Sequence, residues 1–265
     1  YDNGCGETLD SGDFAGNTEE AMRLANWDGI NGRRAEAEAG NHLRGIGMAY
    51  YVDEVAGPML GGEEAVVRVE ANRTLTAIIG TVATGQGHET AFAQILHEYL
   101  GVPYESIVLK QGDLEYIPAS TGQGGSRTVL ICGLALQVAA NDAVEKGKEA
   151  AAELLEAAVS DIEFSDGHYR VAGTDRAIHL FDVSEAMADG RGGPIQVLLG
   201  QGEYLPSATT FPNGCHVCEV DIAQDTGAVT IANYVVVDDF GRVINPLLLA
   251  GQIHGGIAQG AGQAL

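Results

Sequence analysis

Lysine is nearly absent from this chain, at three in 265 residues: Lys110, Lys146 and Lys148. Arginine raises the basic total only to 14, against 37 Asp and Glu, for a formal charge of -23. That sign excludes nucleic acid and anionic membrane as partners, since both are held by clustered Lys and Arg. Any phosphate group must be held mostly by backbone dipoles, and the acidic surface otherwise serves solubility. Cysteine is also sparse: Cys5, Cys132, Cys215 and Cys218 are too few to frame a domain of this size with disulfides. Cys215-His-Val-Cys218 has the spacing of a metal site, but it sits in an alternating strand pattern, where residues three apart point to opposite faces. No metal ligand is assigned. No apolar run approaches a membrane span and no signal peptide opens the chain, so a cytoplasmic setting is expected. The first residue is Tyr and the last falls inside a helical Gly/Ala pattern, which reads as a piece of a longer polypeptide.

Glycine, by contrast, is abundant at 37 residues, and it gathers in a few places. The stretch Gly80-Thr-Val-Ala-Thr-Gly-Gln-Gly-His-Glu-Thr90 follows an apolar run, Leu75 to Val82, and opens a helical pattern from Glu89 to about Leu100. A strand ending in a glycine turn that starts a helix leaves several backbone N–H groups free, a ready anion site. Gly101 and Pro103 close that helix. The device recurs as Ala119-Ser-Thr-Gly-Gln-Gly-Gly-Ser-Arg127 before a helix from Thr128 to about Val159. A third segment, Gly251 to Gly262, lies in a helix begun by Asn245-Pro246, with Pro at the first helical position. Gln252, Gly255, Gly256 and Gln259 share one face of it. Glycines weaken such a helix by up to about 1 kcal/mol each, so a close neighbouring backbone or a flat ligand is expected to compensate. Glycines also cluster where a helix packs tightly on a sheet, and that reading stays open.

Around these segments the periodicities predict further elements. Asp10-Ser-Gly-Asp-Phe14 caps a helical pattern from Thr18 to about Gly40, in which Arg33-Arg34 reads as a solvated face. Leu43 to Val52 is a strand, and a hairpin turns at Ala71-Asn-Arg73. Ser106 to Gln111 is a strand, and Asp166-Gly167 turns a second hairpin. A short helix runs from Asp182 to Ala188, followed by a loose loop from Gly190 to Pro194. Cys215 to Ile222 pairs with Val229 to Val237 around Asp225-Thr-Gly227, and the second of these strands reads as buried on both faces.

Three glycine–glutamine segments in one lysine-poor chain suit an uncharged, polyfunctional edge such as a pterin, because amides both donate and accept. Gly85-Gln-Gly-His-Glu-Thr90 lacks the third glycine of the dinucleotide fingerprint, and no Gly-Lys-Ser/Thr phosphate loop occurs. An ordinary nucleotide-binding enzyme is thus disfavoured.

Several motifs together resemble the molybdenum-binding large subunit of the xanthine dehydrogenase and aldehyde oxidase family. They are Thr84-Gly-Gln-Gly-His-Glu-Thr90 with Phe92 and Gln94, Gly112-Asp113 with Gly124-Gly-Ser-Arg127, Asp239-Phe-Gly-Arg-Val-Ile-Asn-Pro246, and Gly251 to Leu265. The His-Glu form of the first is similar to the aerobic carbon monoxide dehydrogenase-like branch. The match runs in order from Asp10 onward through nearly the whole chain.

The resemblance implies an α+β fold, mixed sheets with packed helices, forming the second molybdenum-cofactor-binding domain of a molybdenum hydroxylase. It assigns residues 1–64 to an N-terminal segment and 65–265 to the cofactor-binding domain. It implies a molybdopterin cytosine dinucleotide with molybdenum. Gln86 and Gln252 would meet the pterin or the oxo side. Gly87, Gly124, Gly125 and Ser126 would serve the pyrophosphate, Gly256 and Gln259 the pterin face, Gly85 the cofactor site beside them, and His88 the motif or the cofactor. The implied partners are the remainder of the large subunit, an iron–sulfur small subunit and an FAD medium subunit. The catalytic glutamate and the substrate loops are expected outside this stretch, so no catalytic residue is assigned and the piece alone is expected to be inactive. Glu89 complements the helix dipole rather than acting as base. The rival reading is a non-catalytic scaffold or assembly domain of the same fold without cofactor.

Overall fold

Helices and strands follow one another in the computed structural model as α1 Phe14–Leu24, α2 Ile30–Ala39, β1 His42–Val52, β2 Glu63–Val69, β3 Leu75–Ile79, α3 His88–Leu100, β4 Ile107–Gln111, α4 Thr128–Leu154, β5 Ile162–Ser165, β6 His168–Val171, β7 Ala177–His179, α5 Leu180–Ala188, β8 Leu198–Tyr204, β9 Asn213–Ala223, β10 Val229–Asp239 and α6 Pro246–Ala264. The structure describes residues 4, 6, 8–191 and 196–265. Tyr1, Cys5 and positions 192–194 of the expected loop lie outside them. The fold is α+β, with mixed sheets and packed helices. The chain divides into two compact units, one of Tyr1–Val55, Thr209–Val243 and Leu249–Leu265, the other of Ala56–Ala208 and Ile244–Leu248.

The first unit is built on an antiparallel sheet in the order β1-β9-β10. Asp13 accepts a hydrogen bond from the Gly16 amide at 3.0 Å and caps α1, which sets Ala21 and Ala25 against Cys215 and Val217. The helical pattern from Thr18 to Gly40 breaks into two helices because Asn26 takes φ +47° between them. Arg33 does not lie on a solvated face. Its guanidinium grips the buried Glu219 carboxylate at 2.8 Å, and Arg44 of β1 donates to the same carboxylate at 2.8 Å, so α2 is tied to two strands. Hydrogen bonds from Arg33 and then Arg44 hold the Glu219 carboxyl below its ordinary range, against the opposing effect of burial. Strand β10 is not buried on both faces: it is an edge strand, with Val229 38% and Ile231 40% exposed.

The second unit holds the sheet β4-β3-β2-β8, in which β3 and β4 run parallel with α3 as the crossover and the other pairs are antiparallel. Helix α4 lies directly on β8. A Cβ built on Gly200 would stand 1.9 Å from the Ala139 carbonyl oxygen, and one on Gly202 2.4 Å from that of Ala135, so only glycine lets the backbones approach this closely. Contrary to the sequence expectation, α4 is long and apolar enough to cross a membrane by length and composition. Ile131, Ala135, Leu136, Ala139 and Ala140 are instead fully buried in the protein core. Helix α4 ends at Leu154 rather than Val159, where Glu156 adopts φ +46°, the left-handed turn that stops a helix. Strands β7 and β8 escape sequence reading. The first has three residues, and the alternate glycines of Leu198-Leu-Gly-Gln-Gly-Glu-Tyr204 erase the strand signal.

Two outcomes test this architecture. Gly200→Ala is expected to lower the unfolding free energy by about 1–3 kcal/mol in urea titration, through overpacking against α4. The second concerns His179, whose Nδ1 caps α5 by accepting from the Phe181 amide at 3.1 Å. Burial, then His168 and Arg73, push its pKa below the ordinary 6.5, with Asp182 opposing. The unfolded chain therefore takes up the proton first, and stability present above pH 6.5 is lost as the pH falls from there through the lower folded-state value. His179→Asn, which keeps a capping side chain, should flatten the dependence of the urea midpoint between about pH 5 and 7.

Candidate functional site

The loop after β3 emerges at the carboxyl end of a parallel strand pair, where open α/β sheets bind ligands. Gly85 and Gly87 take φ +102° and +80°, conformations open to glycine at no steric cost. Gly87 is the N-cap of α3, which has no side-chain cap. Gln86 is half-buried, and its Oε1 accepts from the Thr84 amide at 2.6 Å. Its Nε2 donates to Gln123 Oε1 at 2.7 Å. The first two glycine segments are thus joined through their glutamines. Gly80 permits the same approach, since a Cβ there would stand 2.5 Å from the Ser120 Cβ.

His88 begins α3 and is 1% exposed, with its ring 5.3 Å from that of Phe92. Its Nδ1 lies 2.9 Å from Gln111 Oε1, and Gln111 Nε2 donates to Glu89 at 3.0 Å. Two buried polar atoms flank this loop without a hydrogen-bond partner among the described residues: the Thr81 hydroxyl and His88 Nε2.

The second loop is held from within by a buried ion pair. Arg127 and Glu63 are 1% and 3% exposed, and Arg127 Nη1 meets Glu63 Oε1 at 2.6 Å. The same guanidinium donates to the carbonyls of Gly122 at 2.6 Å, Gly61 at 2.9 Å and Gly62 at 3.1 Å. Glu63 Oε1 in turn accepts from Ser120 Oγ, the Thr121 amide and Thr121 Oγ1. With carbonyls drawn in to Arg127, Gly124, Gly125 and Ser126 are left exposed at the start of α4, again without a side-chain cap. Ser126 takes φ +52°.

In the third segment, Asn245 is the cap of α6: its Oδ1 accepts from the Leu248 amide at 2.9 Å, and its Nδ2 donates to Gln94 of α3 at 2.8 Å. The Leu248 side chain rests on Gly87. Past this first turn, Gln252, Gly256 and Gln259 are exposed. Among the described residues no neighbouring backbone packs on the α6 glycines, for a Cβ on Gly251, Gly255 or Gly256 would meet nothing within 4 Å, which leaves the flat ligand of the two expected contacts. Sequence reading missed Glu63 and Gln111, and it marked Gln123 only as part of a glycine–glutamine segment. Glu63 is separated from Arg127 by 64 positions, and no local pattern links them.

Against known families, residues 20–265 match the molybdopterin cofactor-binding domain. The chain belongs to this family. It is 30% identical over 98% of its length to the carbon monoxide dehydrogenase large chain of Hydrogenophaga pseudoflava, and covers 34% of that protein. It is 32% identical over 97% of its length to the gamma subunit of the 6-hydroxypseudooxynicotine dehydrogenase complex of Paenarthrobacter nicotinovorans, covering 32% of it. The crystal structure of quinoline 2-oxidoreductase from Pseudomonas putida 86 superposes with a TM-score of 0.86, at 31% identity, over 97% of this chain and 35% of that one. The chain therefore spans about a third of the length of these relatives. As a molybdopterin-binding domain, its residues fit the group on their own chemistry. Uncapped starts of α3 and α4 suit phosphate oxygens, while the unpartnered Thr81 and His88 atoms and the amides suit a polar heterocycle.

The ion pair supplies the test. Arg127→Met leaves Glu63 buried without its counter-charge and is expected to cost about 3–5 kcal/mol in chemical denaturation, whereas the joint replacement Glu63→Leu with Arg127→Met should recover most of the loss.

Proposed function

We propose that this molybdopterin-binding domain serves the large subunit of a molybdenum hydroxylase or dehydrogenase that oxidises a small substrate. The observation that carries this reading is the Gln86–Gln123 hydrogen bond, which joins two glycine loops at two uncapped helix starts. In this reading residues 65–265 carry the cofactor-binding domain, and the cofactor is the cytosine dinucleotide form. Gln86 and Gln252 turn their amides to the pterin edge. Gly87, Gly124, Gly125 and Ser126 offer donors to the pyrophosphate, Gly85 lets the first loop's backbone approach the cofactor, and Gly256 with Gln259 lies along the pterin face. His88 anchors the first loop from inside.

When bound, the molybdenum cofactor supplies the oxidative hydroxylation chemistry, with electrons passing to iron–sulfur and FAD centres on partner subunits in the cytoplasm. This chain's own residues bind and orient. Arg127 draws in the Gly122 carbonyl of the second loop together with those of Gly61 and Gly62 before β2, so the second loop presents donors outward. Glu89 is engaged by Gln111 and sits in the first turn of α3, where it complements the helix dipole rather than removing a substrate proton. The base and the substrate pocket then come from the rest of the large subunit.

The chain, expressed within its large subunit and partner subunits, is expected to release cytosine nucleotide and molybdenum in equal amounts on acid treatment. Gln86→Leu or Gln252→Leu should lower that content by about two- to tenfold, the worth of one or two polar contacts. Expressed by itself, the 265-residue chain should show no substrate-dependent dye reduction. A fully empty preparation of the assembled protein would favour a non-catalytic scaffold of the same fold instead.

A further inference from the structure

Three side chains at the first loop form a chain of hydrogen bonds whose polarity can be deduced from chemistry alone. Glu89 Oε1 lies 3.0 Å from the Gln111 amide, and an ionised carboxylate only accepts, so the Gln111 NH2 group faces it. Gln111 Oε1 is then the atom left to His88 Nδ1 at 2.9 Å, and a carbonyl oxygen also only accepts. The imidazole proton must therefore reside on Nδ1. In the neutral ring Nε2 keeps its lone pair. That atom is buried and has no partner among the described residues, on a side chain only 1% exposed. Gln111 reaches this position from the carboxyl end of β4, where it pairs with Ile79, the last residue of β3 before the loop.

We propose that Gln111 is a positioning residue that locks His88 in the Nδ1–H tautomer, so that in the neutral ring Nε2 is the acceptor for an N–H or O–H donor of an amino-bearing heterocycle seated at the first loop. The inference rests on the reading of this chain as a pterin-cofactor domain and deepens it. Ionised phosphate oxygens only accept hydrogen bonds, so the anionic part of the ligand belongs with the glycine amides and the donor-bearing ring with His88. Glu89 is the far end of the relay and acts on the ring only through Gln111.

The test is the tautomer itself. Long-range 1H–15N correlation spectra of the full chain labelled at histidine, taken near pH 8 where an ordinary imidazole is uncharged, should show His88 protonated at Nδ1 over Nε2 by about tenfold or more. The His88 signals are assigned as those that change in Gln111→Leu and Gln111→Glu. Gln111→Leu should erase the bias by about fivefold or more. Gln111→Glu, which keeps an acceptor for Nδ1–H, should retain it. Wild-type protein whose His88 carries its proton on Nε2 overturns the proposal even if Gln111→Leu fails to fold, and so does an unchanged tautomer in a folded Gln111→Leu chain. Acid-released pterin from the assembled protein reads the underlying function separately. The expected tautomer with no pterin in the wild type would sink the cofactor reading, while pterin-loaded protein with the wrong tautomer would sink the role given to Gln111.

Discussion

Arg127 heads the fully buried side chains by volume, which is an unusual place for a permanent charge. Moving Arg127 and Glu63 out of water costs several kcal/mol for each ion, and the contact between them offsets this only with help from further hydrogen bonds. That help comes from the loops themselves. Arg127 collects three glycine-loop carbonyls, and Glu63 collects two hydroxyls and an amide from Ser120 and Thr121. An apolar pair of the same size would avoid that desolvation cost, but it would leave those loop groups without partners. The charge pair thus shapes the loop, and its cost is borne by the core of the second unit.

Once the second loop is held, the first can lean on it. Gln86 reaches Gln123, and Gly80 leaves room for Ser120. The start of α6 is tied to the same region by Asn245 to Gln94 and by Leu248 over Gly87. Every one of these links uses a neutral amide or a backbone group. This is the structural counterpart of a chain with 37 acids and three lysines: donors for an anionic ligand come from helix starts and amides, and the Arg127 guanidinium is turned inward.

Much of this was legible beforehand because it is encoded locally. Glycine at positive φ, Asn-Pro at a helix start and Gly101 after α3 each act through their own backbone, so the loops and the boundaries of α3, β1 and β4 follow from short stretches. What could not be read shares a different property. Arg33 looks like one charge among many until Glu219, 186 positions away, meets it. Strand β8 has no periodic signal, since its glycines are selected by the helix above it. The β-branched run of β10 suggests burial, yet the strand lies at a sheet edge.

Motifs strung along the whole chain pointed to the family by resemblance, while composition and local pattern by themselves gave the glycine–glutamine loops and the exclusion of lysine-based anion binding, because these depend on residue type within a few positions. Only the tertiary structure decided that Glu63 anchors Arg127, that Gln111 governs His88 and that the two loops meet through Gln86 and Gln123. Those are contacts between residues 22 to 64 positions apart, and their geometry arises when the strands pair and α4 settles on the glycines of β8.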